Sequence, residues 1–280
     1  MIGGVIHAAP IAHNRPARGC WCGVSSTDKI WSGRYWKGRI AHATLDRCRD
    51  CGTVRTGALA GIAVGSGDGP GGMFVNLEPS GWEQVNAPLI VRHHRPGPLL
   101  EVGANTGMLL GLLRASDLKD LRGLEPNPAC AAVARRRGEL VDVGWFDATY
   151  APPGPLANIV MSHVFEHIDD PLAALDLAAE SLVPGGRLFL FVPNIDSRRA
   201  RRDFALWKPL NPVDHIWHFA SDTLRTLVAR HGKFDVLDYV TTPLAPPRWS
   251  SPTRIYRSVQ DRRAARAGSG EQLVFILGQR

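Results

Sequence analysis

The fold of this chain is decided by the stretch Leu99-Leu100-Glu101-Val102-Gly103-Ala104-Asn105-Thr106-Gly107-Met108-Leu109-Leu110. Its first apolar residues follow the breaker pair Gly97-Pro98 and predict a short buried strand. Gly103 and Gly107 bracket a tight turn, and a helix is predicted to begin at Met108. Backbone N–H groups at such a helix N-terminus can meet an anionic or carboxylate-bearing ligand. The spacing Glu-x-Gly-x-x-x-Gly differs from that of a dinucleotide-binding loop and from that of a P-loop.

Strands and helices are predicted to alternate from Leu99 onward, which is the pattern of a parallel, doubly wound sheet. The second predicted strand ends in the acid Glu125, and a carboxylate in that position can accept both hydroxyl groups of a ribose. The third strand is short and is followed by Trp145-Phe146-Asp147-Ala148. Later strands are predicted over residues 158–162, 187–192, 234–239 and 272–277.

The fourth predicted strand is followed by His163-Val164-Phe165-Glu166-His167, which allows two interpretations. The pattern His-x-x-Glu-His matches that of a reversed zincin metalloprotease. That chemistry needs both histidines on one face of a helix, with further ligands downstream. Here the pattern lies at the end of a strand, just before Asp169-Asp170-Pro171, which disfavours a helix. The context therefore argues against a protease.

Residues 99–194 resemble the class I S-adenosylmethionine (SAM) methyltransferases. The resemblance rests on the glycine motif at residues 101–107, on Glu125 and on Asp147. It also rests on the His-x-x-Glu-His turn, as in ubiquinone-biosynthesis-type methyltransferases, and on Pro184-Gly185-Gly186 before an apolar strand. It implies an α/β fold with a Rossmann-like seven-stranded sheet, in which the last strand inserts antiparallel between strands five and six.

The resemblance also implies SAM as the cofactor and assigns the residues around it. Gly103 and Gly107 shape the loop for the methionine part, Glu125 takes the ribose, and Asp147 takes the adenine. For Asp147 the alternative is a solvated loop residue. His163 borders the sulfonium end of the cofactor. The complete set of expected cofactor-binding residues is Glu101, Gly103, Asn105, Gly107, Glu125, Pro126, Asp147, Ala148 and His163.

Four of the five cysteines form two tight pairs, Cys20/Cys22 and Cys48/Cys51, each followed by glycine. An odd count without a secretion signal argues against a disulfide framework. Two such pairs can close a tetrahedral structural zinc site. The arrangement resembles the zinc-binding N-terminal module of sugar C-methyltransferases, although Gly19 stands where the first cysteine is expected. His13 as a replacement ligand, or four reduced thiols without metal, are the alternatives.

The acceptor side is predicted beyond Asn194. Asp214-His215 with His218-Phe219-Ala220-Ser221 resembles the Glu-His-x-x-x-Phe-Ser segment of sugar-methylating relatives, with Asp214 in place of glutamate. A histidine beside a carboxylate can accept a proton near neutral pH. The candidate catalytic residues are therefore His215 as general base, His163 as the reserve, and His218. Alternatively, His215 and His218 cap the next helix or pack on a tryptophan.

Three segments follow from these patterns. Residues 1–56 are assigned to a zinc-ribbon-like module, 57–95 to a glycine-rich linker and a helix, and 96–280 to the SAM-binding domain. The linker prediction covers Thr56 to Gly72 because of its seven glycines. The proline- and arginine-rich residues 243–269 predict an active-site flap or a disordered loop.

Composition limits the function further. The net charge is +7, with arginines clustered at residues 135–137, 198–202 and 262–266, which indicates attraction to phosphates or simply solvated helix faces. Neither a membrane-spanning run nor a signal peptide is evident, so a cytoplasmic protein that does not bind membranes is expected. The nucleic-acid signature Asn/Asp-Pro-Pro-Tyr/Phe is absent after strand four, which argues against a nucleic-acid partner.

These patterns predict a SAM-dependent methyltransferase that acts on a small molecule, such as a nucleotide-linked sugar or another biosynthetic metabolite. Two alternatives stay open. One is an RNA-directed methyltransferase that uses the basic clusters and the zinc module. The other is a non-catalytic SAM-binding module whose cysteines dock a partner protein.

Overall fold

The computed structural model describes residues 19–36, 40–60, 81–207, 209–212, 214–246 and 252–280. His13 and most of the predicted linker lie outside these ranges. The strands are β1 (Thr27–Trp36), β2 (Ile40–Cys48), β3 (Val54–Ala60), β4 (Leu99–Val102), β5 (Leu121–Glu125), β6 (Val141–Val143), β7 (Leu156–Ser162), β8 (Leu182–Pro193), β9 (Trp217–His218), β10 (Phe234–Thr242) and β11 (Gln272–Gln279). The helices are α1 (Gly81–His93), α2 (Met108–Ala115), α3 (Pro128–Arg136), α4 (Pro171–Ser181), α5 (Arg198–Arg202), α6 (Ser221–His231) and α7 (Pro252–Arg266).

A seven-stranded sheet in the order β10-β11-β8-β7-β4-β5-β6 forms the centre of the molecule. The pairs β4–β5, β4–β7, β5–β6 and β7–β8 are parallel. In contrast, β11 is antiparallel to both of its neighbours, β8 and β10. This arrangement confirms the predicted sheet, including the antiparallel last strand.

The register of the central strands brings their carboxyl ends to one edge. Val102 of β4 is paired with Leu124 of β5 on one side and with Met161 of β7 on the other. The residues that follow these strands therefore begin at the same level of the sheet. In open parallel sheets this edge is where ligands bind.

The core lies on both faces of the sheet, as β8 illustrates. Leu188, Leu190 and Val192 pack into a cluster with residues of α4 and α6, whereas Phe189 and Phe191 pack into the cluster that contains α1 and α2. All five side chains are fully buried. A strand that is covered on both sides has an almost continuous apolar sequence, and this pattern at residues 187–192 is what predicts the strand.

A second, four-stranded antiparallel sheet has the order β1-β2-β3-β9. β1 and β2 pair antiparallel between the two cysteine pairs. Its fourth strand, β9, comes from a much later part of the chain and pairs through Val54–His218 and Arg55–Trp217. The N-terminal sheet is therefore completed by a strand of the segment predicted to face the acceptor.

The structure corrects part of two loop predictions, and a role of residues 243–269 as an active-site flap stays a prediction. The first residues of the predicted linker form β3, where the side chains of Asp46 and Thr44 cross Gly57 closely. The predicted flap contains α7, whose Pro252 occupies a favoured first helical position. β3 crosses the predicted boundary at residue 56, and the domain limits stay a prediction. In the described ranges, no helix is long and apolar enough to cross a membrane.

Candidate functional site

The loop between β4 and α2, residues 103–107, contains three residues with left-handed backbone. Their φ angles are 71° at Gly103, 48° at Asn105 and 75° at Gly107. A Cβ on Gly103 would lie 2.5 Å from Val164 Cγ2, and one on Gly107 would lie 2.7 Å from Glu139 Cγ. Both positions therefore require glycine. The contact with Val164 also places this glycine loop directly against the turn that follows β7.

Glu125 lies at the end of β5 and ties the glycine loop to the neighbouring turn. Its Oε2 accepts a hydrogen bond from the Asn105 N–H at 2.7 Å, and its Oε1 accepts one from the Asn127 N–H at 2.8 Å. Burial raises the pKa of the Glu125 carboxyl, and the two N–H donors oppose this rise. Each oxygen has a second lone pair for a ligand hydroxyl. Pro126, between the two turns, is half-buried.

Glu101 lies beneath the glycine loop and is fully buried. Burial raises the pKa of its carboxyl well above the ordinary value, and the nearby charges of Glu83 and Glu125 add to this effect. Among the described residues, its Oε2 has no hydrogen-bond partner. This environment favours the neutral carboxyl, and a cationic ligand group nearby would favour its ionisation.

Asp147 and Ala148 lie on an exposed loop after β6. Asp147 Oδ1 accepts hydrogen bonds from the Thr149 hydroxyl at 2.6 Å and from the Thr149 N–H at 2.9 Å. These bonds lower the pKa of the Asp147 carboxyl, so the group is ionised and able to accept from an amino group. The ring of Phe146, at 5.6 Å from that of Tyr150, flanks the loop.

His163 immediately follows β7 and has a left-handed φ of 56°. Its Nε2 lies 2.6 Å from Gln272 Oε1, and the amide nitrogen of Gln272 donates to Asn86 and Thr242. The Gln272 oxygen therefore accepts, and His163 Nε2 is the donor. The other ring nitrogen, Nδ1, lies 3.5 Å from Glu166 Oε1. The His163 ring is thus oriented from two sides, by Gln272 of β11 and by Glu166 three residues further along the chain.

Glu166, His167 and His215 form a second group, which we call the Glu–His–His cluster. One side-chain nitrogen or oxygen atom of each lies within 4.8 Å of the others. His215 Nε2 is 4.0 Å from Glu166 Oε1, and the rings of His167 and His215 are nearly perpendicular with centroids 4.6 Å apart. The backbone N–H of Ile216 donates to the Glu166 carbonyl at 2.9 Å. This bond holds the two segments of the cluster together.

His218 lies below the cluster, with 4% of its surface exposed. Burial, with a smaller contribution from His167, lowers its pKa to about 3. The Thr56 hydroxyl donates to the His215 carbonyl at 2.7 Å, so its oxygen accepts from His218 Nε2 at 3.1 Å. Thr56 belongs to β3, so the N-terminal sheet supports the segment that carries His215. Among the three predicted catalytic histidines, His163 and His215 flank Glu166, and His218 lies beneath them.

The four clustered cysteines come together although the first pair has only one intervening residue. Their Sγ atoms all lie within 4.8 Å of one another, with 3.3 Å between Cys20 and Cys51 and 3.5 Å between Cys22 and Cys48. None forms a disulfide. Burial alone would raise the pKa of Cys48, but N–H donors from Cys51 and Asp50, with the Cys22 thiol, lower it to about 7. Such N–H donation to sulfur stabilises a thiolate.

Three residues of the site were missed at the sequence level. Thr56 was assigned to the start of a linker, and Gln272 to an ordinary strand. Gln272 is 109 residues from His163, so no local pattern could connect the two. Glu166 carried a signal, because it is the central acid of the His-x-x-Glu-His motif, but it was not among the predicted site residues.

Comparison with known proteins gives one sequence match and several structural ones. The sequence profile of a methyltransferase domain matches residues 69–238, more than half of the chain. No curated protein sequence matches significantly.

Three similar structures share the fold at low identity. One is a SAM-dependent methyltransferase of Thermotoga maritima, a possible histamine N-methyltransferase (20% identity, TM-score 0.53, 71% of this chain and 89% of that one). Another is the glycopeptide N-methyltransferase MtfA with bound SAM (16%, TM-score 0.51, 74% and 90%). The third is a SAM-dependent methyltransferase of Mesorhizobium loti (13%, TM-score 0.51, 70% and 97%).

Proposed function

Because this chain belongs to the class I SAM-dependent methyltransferases, we propose that it transfers a methyl group from SAM to a small-molecule acceptor at the carboxyl edge of the seven-stranded sheet. The observation that carries the proposal is the bond between Glu125 and the glycine loop. Glu125 accepts a hydrogen bond from the Asn105 N–H at 2.7 Å. The residue predicted to bind the ribose and the loop predicted to bind the methionine part of SAM are therefore held in place together before the cofactor binds.

Calorimetric titration of the purified protein with SAM and with S-adenosylhomocysteine tests this proposal. We expect saturable binding that is lost in Glu125→Ala and kept in Glu180→Ala, a matched change of an exposed acid at the end of α4. A folded wild-type protein that binds neither compound would refute the proposal. Equal binding by the two variants would refute the role of Glu125.

Bound SAM would supply an electrophilic methyl carbon, so the protein has to align the acceptor and accept its proton. His215 is our candidate base. It lies on the acceptor side, next to the buried Glu166 carboxylate that would stabilise the protonated ring. His163 is the reserve, because its Nδ1 also faces Glu166. We assign His218 a positioning role, since burial keeps its ring neutral and Thr56 occupies its Nε2.

The acceptor class that we favour is a nucleotide-linked sugar or a related phosphorylated metabolite. Basic residues support this proposal, because α5 (Arg198–Arg202) follows directly after the carboxyl end of β8. An anionic acceptor would be attracted to this side of the molecule. A screen of nucleotide sugars against neutral sugars, read by S-adenosylhomocysteine release, tests it. Turnover of the neutral sugars alone would contradict it.

The four cysteines fit a structural zinc ion. Zn–S bonds of about 2.3 Å in a tetrahedron place the sulfur atoms roughly 3.8 Å apart, close to the separations of the cluster. Gly23 and Gly52, with φ of 82° and 73°, form the turns that follow the two pairs. By mass spectrometry of the metal content, we expect the Cys48→Ser variant to contain one zinc ion per chain less than the wild-type protein. Full zinc content in that variant would contradict the site.

A further inference from the structure

The Glu–His–His cluster contains a buried carboxylate, that of Glu166, to which the described part of the chain donates no hydrogen bond. The Glu166 side chain is 1% exposed. Among the described residues, neither of its carboxylate oxygens accepts a hydrogen bond. An ionised carboxylate in such a place is costly unless a cation or a donor compensates it. Both oxygens thus have lone pairs available for a positive ligand.

His167 has the hydrogen-bonding pattern of a metal-binding histidine. Its Nδ1 lies 3.0 Å from the carbonyl oxygen of Asp214, so Nδ1 carries the hydrogen and donates it. The lone pair of the neutral ring is then on Nε2. A backbone carbonyl that fixes the tautomer in this way is typical of the second coordination shell of metal sites.

The geometry of the cluster also suits one ion. The three candidate ligand atoms lie within 4.8 Å of one another, a spacing that an ion with bonds of about 2.1 Å to each can bridge after small side-chain adjustments. His167 is exposed, so an ion can enter from solvent. The backbone bond from Ile216 to Glu166 fixes the distance between the two segments that supply the ligands.

We propose that Glu166, His167 and His215 bind one divalent transition-metal ion, and that its open coordination positions take a hydroxyl oxygen of the methyl acceptor. Two imidazoles and one carboxylate favour manganese, iron, cobalt, nickel or zinc over magnesium or calcium. Three protein ligands leave positions open, unlike the four thiolates of the cysteine site. The binding of the ion stands on the cluster alone, whereas the role of the acceptor rests on the proposed function.

The ion changes how the acceptor loses its proton. A coordinated hydroxyl becomes more acidic, so its proton can pass to bulk water at neutral pH. The resulting oxygen lone pair forms the new bond to the methyl carbon of SAM. The carbon–sulfur bond breaks with its electron pair on sulfur, which gives neutral S-adenosylhomocysteine. With the ion present, His215 is a ligand, and the ion replaces it as the group that promotes proton loss.

Titration with MnCl₂ tests the site, because manganese prefers oxygen and nitrogen ligands and leaves the thiolate site to zinc. We expect one Mn²⁺ per chain in the wild-type protein. Glu166→Gln and His167→Ala should weaken binding at least about tenfold. Asp169→Asn, a matched change of an exposed neighbouring acid, should bind like the wild type. Thermal melts show that each variant is folded. The absence of saturable binding, or equal binding by all four proteins, would overturn the site.

Two further readouts separate the parts of the proposal. Bound Mn²⁺ with open coordination positions should enhance the relaxation of water protons. The absence of enhancement would refute the proposal that the ion has a position open for the acceptor hydroxyl. SAM titration of the same samples tests the proposed function separately. SAM binding without manganese binding would support the proposed methyl transfer and refute the metal site. Manganese binding without SAM binding would support the metal site and refute its role in methyl transfer.

Discussion

At the scale of single residues, Glu101 makes the free energy of unfolding depend on pH. Its carboxyl is fully buried beneath the glycine loop, and burial raises its pKa well above the ordinary value. In the unfolded chain the same group ionises near 4.5. Above that pH the folded state therefore binds more protons than the unfolded state, and the free energy of unfolding falls as pH rises.

Glu101→Gln should remove this pH dependence, because glutamine resembles the neutral carboxyl in shape. Above pH 4.5, the free energy of unfolding of the variant should rise relative to that of the wild type by up to about 1.4 kcal/mol per pH unit. The rise should stop once the pH passes the pKa of Glu101 in the folded state. Urea unfolding at several pH values measures this difference. Glu180→Gln, an exposed counterpart, should show no such trend. Parallel pH profiles of Glu101→Gln and wild type would contradict the assignment.

Gly103→Ala should damage the glycine loop by two separate effects. A Cβ at this position would lie 2.5 Å from Val164 Cγ2, and φ is 71°. We expect a loss of about 2–4 kcal/mol in stability, from overpacking and left-handed backbone together, and weaker SAM binding. Adding Val164→Ala should restore only the steric part. Gly154→Ala, where a Cβ would meet nothing within 4 Å, is the control. Wild-type stability in Gly103→Ala would show that the loop tolerates a side chain at this position.

How far the sequence predicts the site depends on where the partners of each residue lie. Glu125 could be assigned because it ends a predicted strand and its backbone partner Asn105 lies in the preceding motif. Thr56 could not, because its partners His215 and His218 are 159 and 162 residues away. No periodicity connects positions so far apart, so such contacts appear only when the two sheets are assembled.

At the scale of elements, β9 couples the N-terminal sheet to the acceptor side. It has two residues, and its pairing with β3 is reinforced by the Thr56 side chain. Thr56→Val keeps the shape but removes the hydroxyl, which leaves His218 Nε2 buried without its acceptor. We expect the free energy of unfolding to fall by about 1–3 kcal/mol and the backbone amides around β9 to exchange faster.

Hydrogen exchange measured by mass spectrometry tests this effect of Thr56→Val. Thr44→Val is the matched control, because the Thr44 hydroxyl oxygen accepts from the Ala58 N–H within the same sheet, away from β9. Its exchange should increase near Ala58 and leave β9 unchanged. Identical exchange of β9 in wild type and Thr56→Val would show that the hydroxyl does not hold this strand.

The corrected loop predictions also belong to this scale. Glycine weakens the strand signal of β3, and the prolines of residues 243–269 favour a loop although the arginines among them favour a helix. Gly57 is there because side chains of the neighbouring strand cross it. α7 is held by the ion pair between its Asp261 and Arg199, and its Ser258 and Ala264 are buried. Tertiary packing therefore decides β3. In α7 the local propensity agrees with the structure, because proline stands at the first helical position and arginine favours helices.

At the scale of the whole molecule, the positive charge is partly neutralised within the fold. Arg199 pairs with Asp261 and approaches Glu271, Arg201 lies 3.5 Å from Asp196, and Arg198 donates to Gln260. These contacts reduce what the basic cluster at residues 198–202 can offer to the many phosphates of a nucleic acid. Arg198, whose partner Gln260 is uncharged, keeps its positive charge for one small anion.

We therefore expect binding of single-stranded RNA to be weak, insensitive to sequence and abolished between 50 and about 200 mM salt, as for contacts with phosphates alone. Gel-shift assays with two unrelated RNAs across this range measure it. A complex of one RNA that survives at the higher salt would favour the RNA-directed alternative over a small-molecule acceptor.

The position of β11 has a consequence for how the chain is made. This strand pairs with β8 on one side and β10 on the other, and both precede it in the chain. During synthesis β8 and β10 leave the ribosome first, yet they cannot take neighbouring places without blocking the gap that β11 fills. The place between β8 and β10 must therefore stay open while α7 is translated, and β11 then joins the edge strand β10 to the other five strands of the sheet.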